Sequence, residues 1–176
     1  MKIRLLVLLS LLSLGVFSQQ KIEVRPSFGL NWNNTKEPMR ENFNYMAGFG
    51  VNNYGHRFYA ETGAYWVGFK TPDSVKMNQL RFPVKIGINV VNKDKKFFNL
   101  RFFAGPVANV TIEVPNLYLS LNAGVGVDIF PFFLSVGYDL GITDYKDVTD
   151  YRHNVYVNNF YVKTGFIIMS RNKYYR

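Results

Sequence analysis

Reactive side chains are few in this 176-residue chain: two histidines, no cysteine, and 12 acidic residues spread along its length. Without cysteine there is no thiolate nucleophile, no thiolate metal site and no disulfide framework. His153, in the stretch TDYKDVTDYRHN, and Ser74, beside Asp73, have the residue types of a set in which histidine takes the serine proton. They lie in separate polar segments with no motif joining them, so no catalytic residue is assigned. Asp144, Asp147 and Asp150 recur every third position, as carboxylates that could face a calcium ion. The spacing is not that of a calcium loop and no glycine marks the turn, so they are read as solvated surface charge. No metal site is expected. Gly124 and Gly126 flank a single residue, but no helix follows to hold a phosphate, and no cofactor is expected.

The basic residues are more telling. Lys and Arg number 21 against 12 Asp and Glu, a net charge of +9. Lys93, Lys95 and Lys96 form one basic cluster and Arg171, Lys173 and Arg176 a basic tail; His56 stands in a short polar gap. Such clusters suit nucleic acid, an anionic head-group surface or a periplasmic partner. The first segment bears on the choice. Met1 to Ser18 reads MKIRLLVLLSLLSLGVFS: a positive start at Lys2 and Arg4, an uncharged run from Leu5 to Phe17, and small residues at Val16 and Ser18. This is the layout of a secretory signal peptide, with cleavage expected before Gln19. The run is short for a spanning helix, which needs about 20 apolar residues. An exported chain has no use for nucleic acid, so no such partner is expected. Residues 19–176 keep a net charge of +7 once Lys2 and Arg4 are removed.

The elements that must position the remaining charges show period two. Eight runs alternate, over residues 22–32, 43–52, 58–66, 80–90, 98–110, 117–129, 134–142 and 159–168. In the fourth, Leu80, Phe82, Val84, Ile86, Ile88 and Val90 oppose Arg81, Lys85, Gly87 and Asn89. In the sixth, Leu117, Leu119, Leu121, Ala123, Val125, Val127 and Ile129 oppose Tyr118, Ser120, Asn122, Gly124, Gly126 and Asp128. A tilted membrane-crossing strand takes roughly 9–11 residues, whereas globular strands average about 5–6. An apolar content of 48% and an aromatic content of 17% exclude a disordered chain. The apolar face of the eight runs carries no charge. Eleven glycines, among them Gly48, Gly87, Gly124 and Gly137, fall on the polar face instead. Glycine weakens a solvent-facing strand but suits the inner wall of a narrow closed barrel.

The gaps alternate as well. Residues 33–42, 69–79 and 143–155 are longer and polar, and 53–56, 92–96 and 130–131 are tight, as in an outer-membrane barrel with external loops and periplasmic turns. The gap at 113–116 is short for an external loop. With a periplasmic N-terminus, Trp32, Phe43, Tyr45 and Trp66 fall at the outer rim and Phe58, Phe98, Phe130 and Phe132 at the inner rim, the places of two aromatic girdles. Pro83 interrupts the cleanest run, where a bulge is expected. The polar face carries Glu23, Arg25, Glu61, Arg81, Lys85, Arg101, Asp128, Asp139 and Lys163. Buried charges must pair, so these nine are expected to form a salt-bridged plug in the lumen.

The segment Gln79-Leu80-Arg81-Phe82-Pro83-Val84-Lys85, followed by Phe103-Ala104-Gly105-Pro106, resembles the PorT-like small outer-membrane β-barrel family of Bacteroidetes. LNAGVGVDIF and LSVGYDLGITD are similar to its closing strands and FYVKTGFII to its last, so the resemblance spans 22–169. It implies an eight-stranded barrel in the outer membrane and a link to protein-secretion or gliding machinery, with Pro83 as a family feature. No catalytic residue carries over. The chain departs from the pattern at SRNKYYR, which follows the last strand and leaves Phe166, Ile168 or Tyr174-Tyr175 as the terminal aromatic or apolar signal.

The expectation is an all-β, eight-stranded antiparallel up-and-down transmembrane barrel over residues 19–176. It would be non-enzymatic, in contact with outer-membrane lipid and lipopolysaccharide, and an accessory part of an envelope or secretion complex with a protein partner. Three rivals stay open: a small anion-permeable channel, a rim enzyme on lipid using His153 and Ser74, and a soluble exported barrel or sandwich with its faces reversed.

Overall fold

The computed structural model describes residues 21–34, 42–54, 57–70, 76–91, 98–112, 116–143 and 157–169. The signal segment 1–18, His56, the lysines at 93, 95 and 96, Asp73, Ser74, Asp144, Asp147, Asp150, His153 and the basic tail lie outside them.

The eight runs form eight wall strands: β1 (Lys21–Asn34), β2 (Asn42–Tyr54), β3 (Phe58–Lys70), β4 (Lys76–Val91), β5 (Phe98–Thr111), β6 (Asn116–Ile129), β7 (Phe132–Gly141) and β8 (Asn158–Phe166). A two-residue piece, β9 (Ile168–Met169), continues the last. Each strand pairs antiparallel with its neighbour in sequence, and β1 pairs with both β2 and β8, so the sheet closes on itself. Closure leaves no edge of unpaired backbone groups, the condition under which strands can stand in hydrocarbon.

The two faces separate sharply. Val84, Ile86 and Leu121 are 59%, 74% and 47% exposed on the outer wall, whereas Arg101 and Asp128 are 2% and 6% exposed inside. That orientation inverts a soluble protein's and excludes the reversed barrel or sandwich.

Two local expectations are corrected, and the end of the last strand is placed. The second gap, expected at 69–79, spans only 71–75, because the hairpin continues through Phe69 opposite Met77 and Lys70 opposite Lys76. Pro83 makes no bulge. β4 keeps one register with β3 on both sides of it, from Thr62 opposite Val84 to Tyr65 opposite Arg81. The missing N–H interrupts the ladder without inserting a residue; the register shift of β4 falls instead between Asn89 and Val91. The last strand runs past Phe166. Ile168 and Met169 pair with Val24 and Glu23 in the register already set by Gly165 and Ser27. The break between them lies across from Pro26, which again lacks a donor, and the Ile167 amide donates instead to the Pro131 carbonyl at 2.7 Å.

Candidate functional site

The bore is filled by side chains, and its packing follows from the register. Tyr59 stands opposite Gly87, Tyr65 opposite Gly48, Phe103 opposite Gly124 and Tyr161 opposite Gly137. Each ring lies over the glycine across from it. A β-carbon at Gly48 would come within 2.8 Å of Tyr65 Cδ1, and one at Gly124 within 2.6 Å of Phe103 Cζ. Real carbons do not approach so closely, so the small residues are the seats of the large ones. Met46, Val67, Val107 and Phe133 also face inward and are buried.

Around these rings the charged residues form three layers. Nearest the rim where β1 begins, Arg25 bridges Glu23 (Nη2–Oε2 2.7 Å) and Asp128 (Nη1–Oδ1 2.8 Å), and Arg101 Nε donates to Asp128 Oδ1 at 3.0 Å. The Arg25 guanidinium also lies 5.3 Å from the centre of the Phe133 ring. In the middle layer Glu61 accepts from Lys85 Nζ at 3.4 Å and Lys163 Nζ at 3.3 Å, with Arg101 Nη1 at 3.6 Å. Lys163 donates to the Tyr65 hydroxyl at 2.7 Å, and Lys85 Nζ sits 4.6 Å from the centre of the Phe103 ring. At the far end Arg81 pairs with Asp139, whose Oδ1 also accepts from Asn122 Nδ2 at 2.6 Å. Tyr161 ties the upper two layers together, accepting from Lys85 Nζ at 3.4 Å and donating to Asn122 Oδ1 at 3.2 Å. Beyond, an amide network runs from Tyr118 OH to Gln79 Oε1 (3.0 Å), Gln79 Nε2 to Asn109 Oδ1 (2.7 Å) and Asn109 Nδ2 to Ser120 Oγ (2.9 Å).

All nine charged residues singled out in the sequence therefore face the bore, and every one has an oppositely charged partner there. Period-two alternation puts Tyr59, Tyr65, Tyr118 and Tyr161 on the polar face but gives them no task, and it does not send Phe103 or Phe133 inward. The available signal was glycine, but matching a ring to its glycine needs the strand register.

The aromatic residues of the outer wall fall in two groups. Tyr45 and Trp66 are exposed at the end where β1 finishes, and Trp32 there lies 5.4 Å from Phe160, ring centre to ring centre; Phe43 pairs with Trp32 in register. Trp66 Nε1 donates to Asn78 Oδ1 at 3.0 Å. Phe58, Phe98, Phe130 and Phe132 are exposed at the opposite end, where the tilted rings of Phe132 and Phe166 lie 5.1 Å apart, centre to centre. A depression on the same wall, lined by Phe58, Tyr59, Ile86, Ile88, Phe102 and Phe103, is largely apolar. Among the described residues no three His, Asp or Glu converge as metal ligands.

A closed eight-stranded antiparallel barrel with an apolar exterior and an ion-paired interior has the architecture of the small outer-membrane barrels. Three solved structures share that fold. Neisserial surface protein A matches with a TM-score of 0.59 at 9% identity, over 82% of this chain and 96% of that one. OprG from Pseudomonas aeruginosa matches at 0.58 and 10%, over 87% and 97%. Ail, the attachment invasion locus protein of Yersinia pestis, matches at 0.51 and 10%, over 85% and 99%. At such identities the likeness concerns the fold alone. No protein-family model matches the sequence, and no curated protein does.

Proposed function

We propose that this protein is an integral outer-membrane barrel whose closed bore serves as a rigid, non-enzymatic frame. In this reading it displays its connecting segments as an accessory component of an envelope or protein-secretion assembly, in keeping with the resemblance to PorT-like barrels of Bacteroidetes. The observation that carries the reading is the pairing of an apolar outer wall with a bore occupied by rings and salt bridges. Lipid is the only surrounding that rewards such an exterior, and the filled interior leaves no wide aqueous path. The exposed aromatics at the two ends act as interfacial girdles, and lipid and lipopolysaccharide are the immediate surroundings. A protein partner follows from the accessory role.

Two measurements test the membrane and frame parts of the reading. Unboiled protein migrates differently from boiled protein on a denaturing gel if the barrel is a membrane one; identical migration contradicts it. Planar bilayers containing the protein stay silent if the bore is closed, whereas a conductance lost on replacing Lys85 or Arg101 supports the channel alternative. Copurification from native membrane tests the assembly: a stoichiometric partner is expected, and recovery of the barrel alone counts against an accessory role.

A further inference from the structure

We propose that the bore holds one small monovalent anion, of halide size, bounded by Arg81, Lys85 and Lys163. Three independent observations meet at this place. The first is charge. Among the described residues five basic and four acidic side chains are buried in the bore, so one positive charge there has no carboxylate of its own. The layers locate the surplus. Arg25 and Arg101 are balanced by Glu23 and Asp128, and Arg81 by Asp139, which leaves Glu61 alone to face Lys85 and Lys163. A buried charge without a counter-charge is costly, and a captured ion removes that cost.

The second observation is a set of orphan donors. Arg81 binds Asp139 through Nη2, while its Nε and Nη1 are buried and meet no acceptor on the protein. A guanidinium accepts nothing and cannot discard its protons, so its free N–H groups call for an acceptor. The third is space. A small cavity in the bore is lined by Arg81, Lys85 and Lys163 together with Met46, Tyr65 and Tyr161. It has room for about one water-sized sphere. That size, with a single surplus charge, selects a halide over sulfate, phosphate or a carboxylic acid. The lysine ammonium groups sit on flexible stems, so the small difference between water and chloride is absorbed by tenths of an ångström.

The inference rests on the closed-bore reading, because an open channel would exchange the ion freely; bilayer conductance tests that reading separately. For the ion itself, the chain is refolded into lipid vesicles in sodium chloride, sodium bromide or sodium gluconate at equal ionic strength, and each sample is unfolded with urea in its own salt. Higher midpoints are expected in the two halides than in gluconate, which is too large for the cavity. The folded-to-unfolded ratio should climb about tenfold per decade of halide above its dissociation constant, the mark of one ion per barrel. Lys163→Met removes the surplus cation and should give equal midpoints in all three salts. Equal midpoints for the unaltered chain would overturn the proposal, since they mean the surplus is relieved by a neutral lysine. A halide dependence that persists in Lys163→Met would overturn it too. Crystals of the unaltered chain grown in bromide give a readout that needs no variant: one anomalous peak within about 3.5 Å of Lys163 Nζ and an Arg81 nitrogen is expected, and an ordered bore without that peak refutes the site.

Discussion

Inside this barrel the identity of a residue is dictated by what stands across from it. Gly87 is small because the Tyr59 ring occupies the room its side chain would need. Gly87→Val should therefore lower stability by about 1–3 kcal/mol, the usual cost of overpacking. Urea unfolding in lipid vesicles measures it. Adding Tyr59→Ala should recover part of the loss, because the two changes share one space; strict additivity would mean that ring and glycine do not depend on each other. The ion pairs obey a similar rule. Asp139 accepts from both Arg81 and Asn122. Asp139→Asn takes the carboxylate from a buried guanidinium and should cost about 3–5 kcal/mol, whereas Arg81→Met combined with Asp139→Leu should cost less, because no charge is stranded. A double variant less stable than Asp139→Asn would contradict this ordering.

Strands rather than single residues carry the case for a membrane. Along β6 every second side chain meets the outside, Leu121 near mid-strand and Ile129 at its end. If that outside is hydrocarbon, Leu121→Arg should destabilise by about 2–4 kcal/mol and Ile129→Arg by only about 0–1 kcal/mol. In water both would be nearly silent, so equal small effects in lipid vesicles would sink the membrane reading. The eight strands were legible because period-two alternation assigns a face without any knowledge of neighbours. Glu61, Lys85 and Asp128 could be sent inward on that basis alone. Their partners could not, since Glu61 and Lys163 lie in β3 and β8, and only barrel closure brings them together. Pro83 misled for a related reason: a lost donor can be met by a bulge or by a gap in the ladder, and the sequence holds nothing to choose between them. The stretch through Met77 and Asn78 has no clean apolar alternation of its own, and only pairing with β3 makes it strand.

At the scale of the whole molecule, the question is whether the cylinder is a wall or a passage. Its backbone is held by interstrand hydrogen bonds that no side chain supplies, so the bore can be emptied in part without dismantling the sheet. The middle layer is closed by Tyr65 and Tyr161, each lying over a glycine of the next strand, with Lys85 and Lys163 between them. Truncating both rings, in Tyr65→Ala with Tyr161→Ala, leaves little more than glycine and alanine at two paired positions on each side. Water should then reach from one rim to the other. Lys85 and Lys163 would face that water against the single carboxylate of Glu61, so the passage should favour anions, as rings of basic side chains do in anion pores. Vesicles carrying the unaltered protein are expected to hold a chloride gradient, and vesicles carrying the double variant to lose it faster than a sodium gradient. Gradients held equally by both proteins would mean that the Arg25 layer and the amide network close the bore without the rings, whereas a chloride leak from the unaltered protein would redraw the frame as a channel.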